Sequence, residues 1–401
     1  MVRLQTSSEE PFLPGRRKLS EGELAILLDG HARHLAGKGG KRAALPFVNF
    51  SGLNLAGRQL AGADFTGSVF DGAELAGANL AGAILAGCDL RGADLRGANL
   101  RKADLRGACL QAANLAGADL TEADFRPGVI GRPHPTKGFP TVVEEGRSGE
   151  MDGANLSGAT LDRSLLDGLY AAAADFSDAS LKGARMRDAN LKGANFAGAL
   201  MAGAGMSGAV LEDAGFDGAD LADGALTGAR THGANLAGAV EPPTRDVVAR
   251  CAKLVEQARA HAAWVASGGA EGAPTRLDDA DLRPAGDALK GLRLTAVSAR
   301  GANLAGLDLT GVQLQGANLE AADLRGAVLR NADLRGCRLM RADLTRADLT
   351  DAVLSPLALG GDRSTPANLT GARLRYAKFD GAEITGAILQ DADTRGARLP
   401  K

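Results

Sequence analysis

Three sets of residues have types and spacings that could support chemistry. His31 and His34, three apart, would share one face of a helix and could begin a metal site. Asp104 with Asp124, and Asp323 with Asp343, stand twenty residues apart. Carboxylates held about 5 Å from one another are the pair that a retaining glycosidase uses. Cys88, Cys109, Cys251 and Cys337 could be ligands, disulfide partners or nucleophiles. Each set fails on its surroundings. No carboxylate or cysteine is arranged beside the histidine pair, so packing is its expected role. The cysteines form no CxxC pair and are read as reduced thiols, with Cys88 and Cys337 on positions otherwise held by alanine. No nucleophile sits with a base, and no glycine-rich phosphate loop links a strand to a helix. The sequence thus points to no catalytic residue, no cofactor-binding residue and no metal ligand.

What must position these residues is set by an unusual composition. Of 401 residues 55 are glycine and only 3% are aromatic, so any core is filled with small and branched aliphatic groups. Forty-six basic against 48 acidic residues leave a formal net charge of −2, too small a field to recruit nucleic acid or an anionic membrane. The first twenty residues lack an apolar signal region, and no run of about 18 apolar residues occurs, so the expected location is cytoplasmic with no membrane contact.

The organising feature is a period of five. Large apolar residues, here position i, recur in frame from Phe50 through Leu55, Leu60 and Phe65 to Phe125, from Leu156 to Leu236, and from Leu294 to Leu399. Alanine dominates at i−2, Asp or Asn at i−1, and glycine at i+2, as in Ala93, Asp94, Leu95 and Gly97. A period of five fits neither a helix nor a long strand, in which the leucines would rotate around the element or alternate between faces. A path that turns a corner every five residues does fit. Four such sides close a square coil, and stacked coils lie about 4.8 Å apart. In that geometry Asp104 and Asp124 are neighbours, with Arg106 and Arg126 on the same face, and the four are expected to form a solvated checkerboard of charge rather than a catalytic dyad.

The run CDLRGADLRGANLRKADLRGACL, residues 88–110, resembles the pentapeptide-repeat family. The resemblance covers about three quarters of the chain. It implies an all-β solenoid, a right-handed quadrilateral β-helix with i and i−2 inward, here with two short α-helical capping segments.

Those segments come from what interrupts the arrays. In residues 19–37, Ser20 and Glu23 form a capping-box pattern, and Leu24, Leu27, Leu28 and Leu35 mark one helical face. In residues 244–269 the helical spacing returns at Val247, Cys251, Leu254, Ala258 and Val265. Aligning His31 on His261 sets His34 on Trp264 and Leu35 on Val265, which implies an internal duplication of helix, glycine-rich link and array. Trp264, the single tryptophan, is expected to cover apolar coil edges. The expected organisation is a disordered tail at 1–19, a helical cap and link at 20–47, and a first array at 48–126. A Pro/Gly-rich loop follows at 127–153, a second array at 154–240, a second helical cap and link at 241–288, and a third array at 289–401. Sixteen units precede the loop, which makes four whole coils, so arrays one and two could continue as one solenoid.

The favoured function is a non-enzymatic scaffold or interaction protein with a rod-like surface, no cofactor and a protein partner not named by the sequence. Unpaired end coils leave self-association open. The alternative, which the resemblance implies, is a DNA-mimicking modulator of a type II topoisomerase, DNA gyrase or topoisomerase IV, acting through the middle array and the 127–150 loop. Residues 151–240 carry 11 acidic and 6 basic groups, net −5, whereas 289–401 carry 12 and 16, net +4. The acidic stripe of array two looks broken, with Asp175 and Asp220 among few acids at i−1. Arg325, Arg330 and Arg335 fall on different sides of a coil, which argues against direct nucleic-acid binding.

Overall fold

The computed structural model describes residues 17–134, 138–221, 226–361 and 363–400. The chain divides into two compact units, Met1–Pro242 and Pro243–Lys401.

In unit 1 the residue before each large apolar side chain pairs in parallel with the residue twenty positions on. One ladder runs Asn54, Glu74, Asp94, Asn114, and three others accompany it. Five-residue sides and a twenty-residue repeat give four sides per coil, the architecture of a β-helical solenoid. Leu95 shows how one side closes. Its amide donates to the Asn114 carbonyl at 2.7 Å on the next coil, while its own carbonyl accepts from the Ala98 amide at 3.0 Å and turns the corner. The third residue of that turn, Gly97, has φ 62°, a left-handed conformation that glycine adopts at little steric cost. Leu95 and Ala93 are fully buried, as are their equivalents around the coil. Aromatic residues one coil apart stack inside: Phe176 on Phe196 and Phe196 on Phe216, each with centroids 5.0 Å apart.

The first interruption does not break the solenoid. Cys109 pairs with Glu150 and Asp124 with Leu165, forty-one residues apart instead of twenty, so the insert is twenty-one residues long. That is one more than a multiple of five, and it accounts for the one-residue change of frame between arrays one and two. A single hydrophobic core continues from Ala43 to Leu221. The insert, expected as a loop, is an antiparallel hairpin of strands β3, Gly128–His134, and β4, Gly138–Arg147, and the coil has already resumed at Glu150.

Helix α1 spans Glu21–Leu35, with Ser20 and Glu23 forming the capping box. Leu24 and Leu28 pack on the core and His31 is buried, whereas Leu27 and Leu35, which the leucine spacing placed on the same face, stay exposed with Ile26. The contact stripe is therefore 24, 28, 31, close to one straight row of the helix. Residues 1–16 of the expected tail lie outside the described residues. Arg17–Lys18 form strand β1, parallel to β2 at Val48–Asn49, and so pair with the edge of the first coil.

In unit 2, helix α2 spans Arg245–Ala266, and Cys251, Val255 and Ala258 join the core with Leu277 and Leu282. The coil starts earlier than the leucine frame suggests. Arg276 pairs with Ser298 and Asp281 with Asn303, twenty-two apart, within the stretch read as a link to residue 288. Two extra residues in this first coil, near a 3-10 turn at Arg283–Ala285, shift the frame and hide Leu277 and Leu282 from a period-five search, whereas Leu289 already stands in the frame of Leu294. A further insert escaped for the opposite reason. Arg338 pairs with Asn368, thirty apart, so ten residues are inserted and the frame is kept. They include the hairpin of β5, Leu357–Gly360, and β6, Arg363–Thr365. Ser364, which falls at an i position of the leucine frame, lies in that hairpin.

This inside-and-outside assignment has a direct consequence. Leu95→Asp places an unpaired charge in an apolar layer and is expected to cost several kcal/mol, about 3 or more. Arg96→Ala, one residue along but outward, is expected to change stability by less than about 0.5 kcal/mol in the same denaturant titration.

Candidate functional site

The outward surface of each coil is built from i−1 and i+1, and the structure shows why Asp and Asn dominate at i−1. Their side-chain oxygen accepts the backbone amide of i+1, as from Ser51 to Asn49 at 2.8 Å and Arg96 to Asp94 at 3.1 Å. This local bond fixes the start of the corner, a turn for which Asp and Asn are suited because their side chains are short. In three units of array two where i−1 is another residue, an aspartate one coil below substitutes. The amides of Ala172, Lys182 and Arg187 reach Asp152, Asp162 and Asp167 at 2.6, 3.1 and 3.0 Å, and i−1 in those three units is Tyr170, Ser180 and Arg185. In these units the corner amide finds an acceptor by one route or the other.

The carboxylates of the two aspartate pairs are engaged in this way. Asp104 and Asp124 do pair along one ladder, as do Asp323 and Asp343. Arg106 grips both oxygens of Asp104 at 2.9 and 2.7 Å, and Arg126 those of Asp124 at 3.0 and 2.8 Å. Burial opposes ionisation of Asp124, but the bonds from Arg126 outweigh it and hold the carboxyl below its usual range. Asp308 is held down to about 2 by the Lys290 ammonium and the Thr310 hydroxyl and amide. Both oxygens of Asp323 accept from Arg325, and Arg373 lies 3.6 Å from Asp343. Carboxylates engaged by corner amides and arginines in this way are poorly placed for proton transfer. Arg325 pairs with Asp323, Arg330 with Asp348 and Arg335 with Asp333, each on its own side of the coil.

In array two, Asp175 accepts from the Ser177 amide and the Asn195 side chain, both at 3.0 Å. Asp220, expected to face outward, is only 8% exposed. Part of the surplus acidity of 151–240 is thus drawn into the coil wall, while Asp188, Asp213 and Asp217 stay exposed.

His31 and His34 stack with ring centroids 6.3 Å apart. Among the described residues no group of three or more His, Cys, Asp or Glu is placed to hold a metal ion. The four cysteines are buried and unlinked. The Cys88 and Cys337 thiols donate to the Phe65 and Leu314 carbonyls at 3.0 and 2.7 Å, and burial pushes the thiols of Cys109 and Cys337 up to about 12. Trp264 is half-buried beside His261, with centroids 5.7 Å apart. No described helix is long and apolar enough to cross a membrane.

The family model for pentapeptide repeats matches eight stretches, residues 48–87, 73–111, 108–126, 150–188, 189–230, 289–326, 317–355 and 367–400. The chain belongs to the pentapeptide-repeat family. It has no match among the curated proteins compared. Among solved structures it is similar to HetL of the cyanobacterium Nostoc sp., a pentapeptide-repeat protein involved in the regulation of heterocyst differentiation. That match has 22% identity, covers 96% of this chain and 98% of HetL, and has a TM-score of 0.30. It is also similar to QnrB1, a plasmid-mediated fluoroquinolone resistance protein, at 18% identity over 53% of this chain and 96% of QnrB1, with a TM-score of 0.30.

Turn capping and ion pairing by the same aspartate can be separated. Asp94→Asn keeps the acceptor for the Arg96 amide and loses only an exposed ion pair, so stability should move by less than about 0.5 kcal/mol. Asp94→Ala removes the acceptor as well and should cost about 1 kcal/mol. Chemical denaturation of the two variants measures the difference.

Proposed function

We propose that this chain is a non-enzymatic interaction protein whose solenoids are right-handed quadrilateral β-helices, capped at their first coils by α1 and α2. It presents the hairpin β3–β4 and the outer coil faces to a protein partner, without a cofactor and in the cytoplasm. The observation that supports this most is the fate of the polar residues: the acids and arginines that could have made a site are committed to turns and to one another. The hairpin, by contrast, leaves the coil after Asp124 and rejoins at Glu150 without disturbing any ladder.

A topoisomerase-directed role is the second reading, favoured by the net −5 of residues 151–240. Duplex mimicry needs acids free to meet a basic groove, with an association that weakens steeply in salt. The engagement of Asp175 and the burial of Asp220 count against it.

The insert length supplies a clean experiment. Removing residues 127–147, twenty-one in all, restores an uninterrupted period of five from Phe125 to Met151. The deletion is expected to fold and to lose a partner that the full chain captures from the source cell. The full chain at low micromolar concentration is expected neither to inhibit gyrase supercoiling nor to protect gyrase from quinolones. Inhibition that disappears with Asp175→Asn and Asp220→Asn would put the topoisomerase reading first.

A further inference from the structure

The two helices are docked by the same device. In unit 2, His261 Nδ1 accepts the Thr275 amide at 3.1 Å, and Nε2 meets the Thr295 carbonyl at 3.1 Å. In unit 1, His31 Nδ1 accepts the Ala43 amide at 3.1 Å, and the ring is fully buried. Its Nε2 has no hydrogen-bond partner, with the Ala61 backbone beside the ring. Gly40 and Gly272 let the link pass close beneath each helix, where a Cβ would strike the Gly30 and Ala260 carbonyls. An imidazole nitrogen that accepts an amide carries no proton, which fixes the bare nitrogen of each docked ring at Nδ1. A proton there would set donor against donor and break the bond that ties the helix to the first coil.

The surroundings of the two rings differ. His31 faces His34 on its own helix and Arg42 on the link, and both disfavour added positive charge. The first coil turns alanine backbone toward it, at Ala43 and Ala61. At the matching places beside His261 stand Trp264 and Pro274. His31 also lacks a well-formed partner for its second nitrogen, which His261 has.

We propose that α1 is a proton-released cover of the first coil of unit 1, with His31 as the switch. Burial of His31, with His34 and Arg42 beside it, favours the neutral ring in the docked state. The docked state therefore binds fewer protons than the released one. Its stabilisation is fully present above the ordinary histidine value of about 6.5 and is lost as pH falls below it. Release would uncover the apolar edge formed by Ala43, Leu45 and Val48, an exposed coil end able to pair with another chain.

Hydrogen–deuterium exchange on the full chain, corrected for the intrinsic pH dependence, reads this directly. Protection of residues 21–45 should fall severalfold between pH 7.5 and pH 5.5, by no more than about tenfold per pH unit for one proton. Protection of residues 245–275 should fall less. His31→Asn keeps an acceptor near Nδ1 without a titrating ring and should flatten the response. If that variant undocks the helix, His34→Gln, which removes one neighbouring charge, should instead move the loss of protection to lower pH. Equal responses of the two helices, or no response of α1 across this range, would overturn the proposal.

Discussion

A five-residue side is too short to be a strand in its own right, and everything else in each unit follows from how that shortage is met. Each side orders its backbone at a cost of about 1–2 kcal/mol per residue, while one buried leucine returns only about 1.5–3 kcal/mol. A single coil cannot hold itself. The parallel backbone bonds between residues twenty apart, such as Leu95 to Asn114, supply the missing contacts by joining each coil to the next. Inward leucines and phenylalanines then stack in columns, and alanine at i−2 leaves them room. The same dependence makes the first coil of each unit a weak point, and in both units a helix lies on it.

The inward pattern was legible because burial and period coincide: a large apolar residue every fifth position has only one consistent geometry. The ladder of neighbours twenty apart followed from that. What the sequence hid were inserts whose length interferes with the frame. The twenty-one-residue hairpin announced itself by a frame shift and by its prolines, the ten-residue insert at β5–β6 preserved the frame, and the two extra residues near Arg283 disguised the start of unit 2. The aspartates were misleading in another way. At i−1 their spacing suggested charge on a surface, whereas much of their work is to accept a corner amide, a role visible only once the turn geometry is known.

The duplication was readable from His31 and His261, but the reason for the match was not. Histidine recurs because one ring nitrogen must accept the first amide of the incoming coil at a place sealed from water, where its partner is a backbone atom that leaves no trace in the side-chain pattern. Leu27 and Leu35 show the reverse error, since apolar spacing on α1 overstated the buried face. The acids and arginines that spacing singled out turn out to be turn acceptors and ion-pair partners, roles that a period of five does not display by itself.

Residues twenty apart are stacked on one face of each coil. Asn79 and Asn99 are ladder partners whose side chains bond at 3.1 Å. Placing cysteines at both positions should give a disulfide on mild oxidation, because stacked neighbours lie within the roughly 4.4–6.8 Å that the bridge spans between Cα atoms. Cysteines at Asn79 and Asp94, fifteen apart and on adjoining sides, should not link. Ready closure of the second pair, or failure of the first in folded protein, would contradict the coil.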